Sequence, residues 1–166
     1  MRRALLGALL VAVAAGGATG LAPAHIDLAR SSWTRNGRAP ESPPAVTAPE
    51  GEAARGGSDR PLVTLPLDAR GVRWATTFDT ESGRMARLAL DWDGGPDGLL
   101  LEVVIDGQRL LPARDSWRPS PRALHTDLGS LWLGPGGHLF EIVAREKPAA
   151  PSAVRLAALE VEWLGR

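Results

Sequence analysis

"GLLLEVVIDGQRLL", residues 98–111, is the stretch on which the fold class turns. Leu99, Leu101, Val103 and Ile105 stand two residues apart, so an extended backbone places all four on one face. Asp106-Gly107 then supplies the pair that accepts positive φ at both central positions of a tight hairpin turn. A helix would scatter the same four side chains around its circumference. This segment therefore reads as a strand running into a hairpin.

Working outward, the same period recurs from Pro61 to the end. "GVRWATTFD", residues 71–79, sets Val72, Trp74, Thr76 and Phe78 together, and "RMARLALDW", residues 84–92, does so with Leu88, Leu90 and Trp92. "SLWLG" and "HLFEIVAR" follow, the latter turning Phe140, Ile142 and Ala144 inward. Between them Gly134 to Gly137 carries a proline and three glycines, which suits a sharp corner. In "AVRLAALEVEWLG", residues 153–165, Leu159, Val161 and Trp163 alternate with Glu160 and Glu162, while Val154 and Leu156 are one step out of phase. A β-bulge near Ala157 and Ala158 restores the register. Seven or eight short strands with regular turn signals and no intervening helix define an antiparallel β-sandwich of the jelly-roll type over 61–166.

The remainder reads differently. Residues 1–24 open with Arg2 and Arg3, continue uncharged from Ala4 to Ala24, and close on Ala22-Pro23-Ala24. That order is either a secretory signal cleaved before His25 or a retained anchor helix, since a span needs about 20 apolar residues. Either way the rest of the chain is exported, to the periplasm or the cell exterior. Residues 25–60 are expected to be a juxtamembrane segment and a disordered, Pro/Gly-rich linker, because they carry few large apolar side chains to offset the entropy of ordering them. Ile26, Leu28 and Trp33 are the apolar anchors of its first part.

The 166 residues carry nineteen Lys and Arg against nineteen Asp and Glu, so no global field draws the protein to nucleic acid. The absence of cysteine excludes disulfides, thiolate metal sites and a cysteine nucleophile.

"RLALDWDG", "LLLEVVIDGQRLL", "DLGSLWLGPGGHLFEIVARE" and "VRLAALEVEWLG", in that order within residues 84–164, resemble the jelly-roll modules of the galactose-binding-like and carbohydrate-binding type. The resemblance covers about half of the chain. It implies a sandwich whose end loops or concave face bind glycans or other proteins. The chain departs from that pattern in having no tyrosine and no good match to the acidic calcium site.

Among candidate sites, Trp117 stands out. Of the six tryptophans, Trp74, Trp92, Trp132 and Trp163 fall on apolar strand faces and are expected in the core. Trp117 lies in the polar stretch "ARDSWRPSPR", with Asp115, Arg114, Arg118 and Arg122 close by. An indole face beside a carboxylate and guanidinium groups suits stacking on a sugar or anchoring a protein partner. Asp91, Asp93, Asp97 and Glu102 approach the spacing of a calcium loop, but Pro96 stands where that loop needs glycine, and a solvated turn is expected. His125, Asp127 and Ser130 are too close in sequence to count as a triad. His25, His125 and His138 make no zinc pattern, and Glu160 and Glu162 read as a solvent face.

These observations favour a non-catalytic exported module that binds protein partners in an envelope or membrane assembly, with no cofactor or metal and no nucleic acid. Membrane contact would come through residues 4–24 if they are retained. The alternatives are a carbohydrate-binding module, with Trp117, Asp115 and Arg118 at its site, and a small envelope hydrolase.

Overall fold

The computed structural model describes residues 24–48, 59–110, 114–146 and 150–165. They form two antiparallel six-stranded sheets packed face to face. The first contains β1 (Ala24–Asp27), β3 (Ala45–Thr47), β4 (Leu62–Pro66), β6 (Arg84–Gly94), β10 (Arg122–Leu133) and β12 (Ala153–Trp163). Its order is β10-β6-β12-β4-β3, with β1 also pairing to β12. The second contains β2 (Thr34–Arg35), β5 (Arg73–Thr80), β7 (Leu100–Ile105), β8 (Gln108–Arg109), β9 (Arg114–Asp115) and β11 (Gly136–Ala144). It runs β2-β5-β11-β7-β8, with β9 also pairing to β7. Among the described residues no helix is long and apolar enough to cross a membrane.

Alternation along the strands produces the core. Leu88, Leu90 and Trp92 on β6 face Ile105, Phe140 and Ile142 in one buried cluster between the sheets. Three buried indoles each find an acceptor, as buried polar groups must: Trp33 donates to the Leu28 carbonyl at 3.1 Å, Trp74 to the Pro66 carbonyl and Trp92 to Thr126 Oγ1, both at 2.8 Å. Asp106 and Gly107 have φ of 51° and 78°, the left-handed pair of a tight hairpin between β7 and β8. The expected bulge is present too, as the pairing of β12 with β6 slips between Leu156 and Ala158.

Two expectations are corrected. The first concerns residues 25–60: the described residues 25–48 enter both sheets where a juxtamembrane segment and linker were expected, and residues 49–58 lie outside the described residues. β1 pairs with β12, β2 with β5 and β3 with β4. A 3-10 turn, Leu28–Arg30, is capped by the Asp27 carboxylate, which accepts from the Ala29 amide at 3.0 Å. Leu28 is fully buried, and Trp33 meets Phe140 edge-on with centroids 6.1 Å apart. Average composition misses this, because two large side chains suffice to dock a segment whose backbone completes open sheet edges. The expected signal or anchor lies outside the described residues except for Ala24, which opens β1.

The second correction is Trp132, expected in the core and found 61% exposed. Its neighbours Leu131 and Leu133 are the buried pair, so the alternation of β10 turns Trp132 to the outer face. Trp163 is half-buried against the edge of the core.

Candidate functional site

Trp117 sits just after β9, in a loop held from both sides. β9 pairs with β7, placing Asp115 opposite Leu100 and Arg114 opposite Leu101. Ser116 is buried, and its hydroxyl both accepts from the Leu99 amide at 2.8 Å and donates to the Leu99 carbonyl at 2.9 Å. On the other side the Gly95 amide donates to the Ser116 carbonyl at 3.1 Å, and the Arg118 amide donates to the Gly95 carbonyl at 2.9 Å. The approach is so close that a Cβ on Gly98 would lie 2.4 Å from the Ser116 carbonyl, and one on Gly94 would lie 2.7 Å from its oxygen.

On this base the Trp117 side chain is half exposed. The Trp117 amide donates to Asp115 Oδ1 at 2.8 Å, and the Arg118 guanidinium donates to the carbonyls of Trp117 at 2.6 Å and Asp115 at 3.3 Å. Arg122 begins β10 opposite Gly94 and is exposed. The fold therefore brings Trp117, Asp115 and Arg118 into one turn, with Arg122 at the start of the next strand and Arg114 in the strand before. An indole on a fixed backbone, half exposed, offers a flat apolar platform with charged groups beside it.

A second polar constellation lies on the outer face of the first sheet. His125 Nδ1 on β10 is 2.7 Å from Asp91 Oδ1 on β6. Arg60 Nη1 donates to Asp91 Oδ2 at 2.8 Å and to Glu160 Oε1 on β12 at 3.4 Å. His25 Nδ1 on β1 lies 3.9 Å from the same Glu160 oxygen. One ligand atom each from Asp91, His125 and Glu160 lies within 4.8 Å of the others, a set that suits a divalent cation in its donor types. The Arg60 guanidinium already bridges its two carboxylates and supplies the positive charge there. Sequence reasoning missed this grouping, which joins residues 34 apart on neighbouring strands and leaves no local signal.

The other sequence candidates disperse. Asp127 is bonded to Arg87, which holds its carboxyl below the usual carboxylate range with help from the Gly129 amide. With His125 turned to Asp91, no triad with Asp127 and Ser130 forms. Asp97 makes a two-bond pair with Arg155 at 3.0 and 2.7 Å, and buried Glu102 bonds Arg109 and Arg145, each at 3.2 Å. Asp91 and Asp93 stand on β6 and Asp93 is buried, so these carboxylates belong to a strand and not to the solvated turn expected of them. His138 is buried in the second sheet, away from the His25 and His125 face.

No family model matches the sequence, and no curated protein does. Solved structures share the fold. A Paenibacillus xanthan lyase superposes with a TM-score of 0.66 at 14% identity over 85% of this chain, which spans 13% of that enzyme. A family 36 carbohydrate-binding module of a multidomain xylanase from the hindgut metagenome of Trinervitermes trinervoides gives 0.52 at 12% identity, over 87% of this chain and all of that one. A family 35 module from an environmental isolate gives 0.51 at 13%, over 86% and 93%. The fold these structures share with the chain is a two-sheet antiparallel β-sandwich.

Proposed function

We propose that this chain is a non-catalytic carbohydrate-binding module, exported by its N-terminal segment, with the Trp117 loop as its site. The observation that carries the reading is a half-exposed indole on a backbone clamped through buried Ser116. A platform ordered before binding loses little entropy when a sugar stacks on it, which is what a weak hydroxyl-rich ligand requires. Trp117 supplies the apolar face, while Asp115, Arg118 and Arg122 contribute hydrogen bonds to hydroxyl or carboxylate groups of a polysaccharide. The likeness to family 35 and family 36 modules supports this reading over the others. An envelope-assembly partner has no observation in its favour. The hydrolase reading gains no triad, since His125 pairs with Asp91.

The test is affinity electrophoresis and calorimetry against xanthan, xylan, mannan and a uronate-rich polymer, with wild type and Trp117→Ala. At least one polymer should bind, and the variant should bind it roughly 30-fold more weakly, as expected for losing a contact of about 2 kcal/mol. Binding to none, or equal binding by the variant, would overturn the proposal.

A further inference from the structure

Trp132, Met85 and Leu164 form an exposed apolar row across three neighbouring strands. Trp132 on β10 is registered opposite Met85 on β6, and the Leu164 amide just beyond β12 donates to the Met85 carbonyl at 2.8 Å. Directly opposed residues share a face, so all three project outward, at 61%, 40% and 38% exposure. The Trp132 ring has a firm seat over the turn before β6, where a Cβ on Gly83 would come within 3.1 Å of it and 3.4 Å of Pro135. The next row inward is Ser130, Arg87 and Glu162, so the surface changes from apolar to charged within one step along the strands.

The position of this row relative to the chain's start gives it meaning. β1 enters at Ala24, paired with Val161, and runs antiparallel to β12. Its beginning therefore lies toward the Leu164 end, three residues from the row, or about 10 Å. Immediately before it the sequence from Ala4 to Pro23 runs without a charge, preceded by Arg2 and Arg3. That is the length and flank of a membrane-inserted segment.

We propose that the uncharged segment ahead of β1 is retained as an anchor, and that the Trp132–Met85–Leu164 end of the sandwich rests on the lipid surface from which the chain then rises to Ala24. Tryptophan is enriched at the boundary between headgroups and acyl chains, because its ring is apolar and its N–H is not. Tethering supplies the local concentration that three side chains alone would lack, so shallow contact suffices. The Ser130–Arg87–Glu162 row stops the sandwich from sinking deeper. Trp117 lies beyond the opposite end of β10, whose 12 residues span about 40 Å, so its loop faces away from the bilayer. The inference does not depend on what Trp117 binds.

The experiment uses the full chain reconstituted in phosphatidylcholine vesicles with and without brominated acyl chains, reading tryptophan fluorescence. Residues 1–24 contain no tryptophan, so any quenching reports the folded part. Bromine should quench the wild type and the Trp117→Phe variant alike, while Trp132→Phe should lose the quenchable emission. Met85→Glu with Leu164→Glu, which keeps every tryptophan, should reduce the quenching as well. Quenching unchanged by Trp132→Phe, no quenching in the wild type, or recovery of the chain free of vesicles would overturn the proposal.

Discussion

His138 Nδ1 lies 2.6 Å from Asp106 Oδ2, tying β11 to the turn between β7 and β8. The other ring nitrogen is 2.8 Å from the Gly134 carbonyl and 3.0 Å from Thr80 Oγ1, in the corner that leads into β11. Asp106 Oδ1 in turn accepts from the Leu139 amide at 2.8 Å. One imidazole thus braces two turns, and it does so best when charged, with both nitrogens donating.

That arrangement makes stability depend on pH. Burial opposes the charge on His138, but the bond to Asp106, the Gly134 carbonyl and the charges of Asp106 and Asp79 outweigh it and hold its pKa above the ordinary 6.5. Burial likewise pushes Asp106 up, yet its bonds to His138 and Leu139 leave it below 3.8. A raised histidine stabilises fully below about 6.5 and loses its contribution as pH rises through the folded value; a lowered carboxylate contributes above about 3.8 and loses it in stronger acid. The gap in urea midpoint between wild type and His138→Gln should therefore be widest between about pH 4 and 6.5 and narrow as the pH rises through the folded value of His138. A gap that widens toward pH 8.5 would contradict the charged brace.

The seat of the Trp117 loop can be broken without touching Trp117. Gly98→Ala would force a Cβ to within 2.4 Å of the Ser116 carbonyl, so the loop must move. We expect a loss of about 1–3 kcal/mol in urea unfolding, as for other overpacked sites, together with loss of glycan binding. At Gly107, where nothing lies within 4 Å, alanine meets only the cost of φ at 78°. That variant should lose about 1 kcal/mol and keep any binding.

Trp33 tests whether residues 24–48 are part of the folded unit in solution. Trp33→Ala removes an indole packed on Phe140 and should cost about 3–5 kcal/mol by denaturant titration. A linker residue would cost almost nothing.

Arg60, by contrast, is a partly exposed cation between Asp91 and Glu160. Its replacement by alanine should cost no more than about 1 kcal/mol, and the loss should shrink in high salt as the remaining carboxylates are screened. A salt-independent loss of several kcal/mol would show that the guanidinium acts mainly through packing.

Alternation is written in consecutive residues, so it was legible from the chain alone: the strand faces around Val72 to Phe78, Leu88 to Trp92 and Leu99 to Ile105, the Asp106-Gly107 turn, and the slip at Ala157 and Ala158. So was the grouping of Asp115, Trp117 and Arg118, which one loop holds together. What only the tertiary structure decided was everything that depends on which strand lies beside which. Leu28 and Trp33 became core because β1 and β2 pair with β12 and β5, which sets Trp33 against Phe140. Trp132 turned outward because Leu131 and Leu133 occupy the inner positions. His125 met Asp91 and not Asp127 because β10 pairs with β6 in one particular register. Backbone sterics set the period locally, but strand order and register are chosen by the burial of whole faces at once, and no short stretch of sequence carries that information.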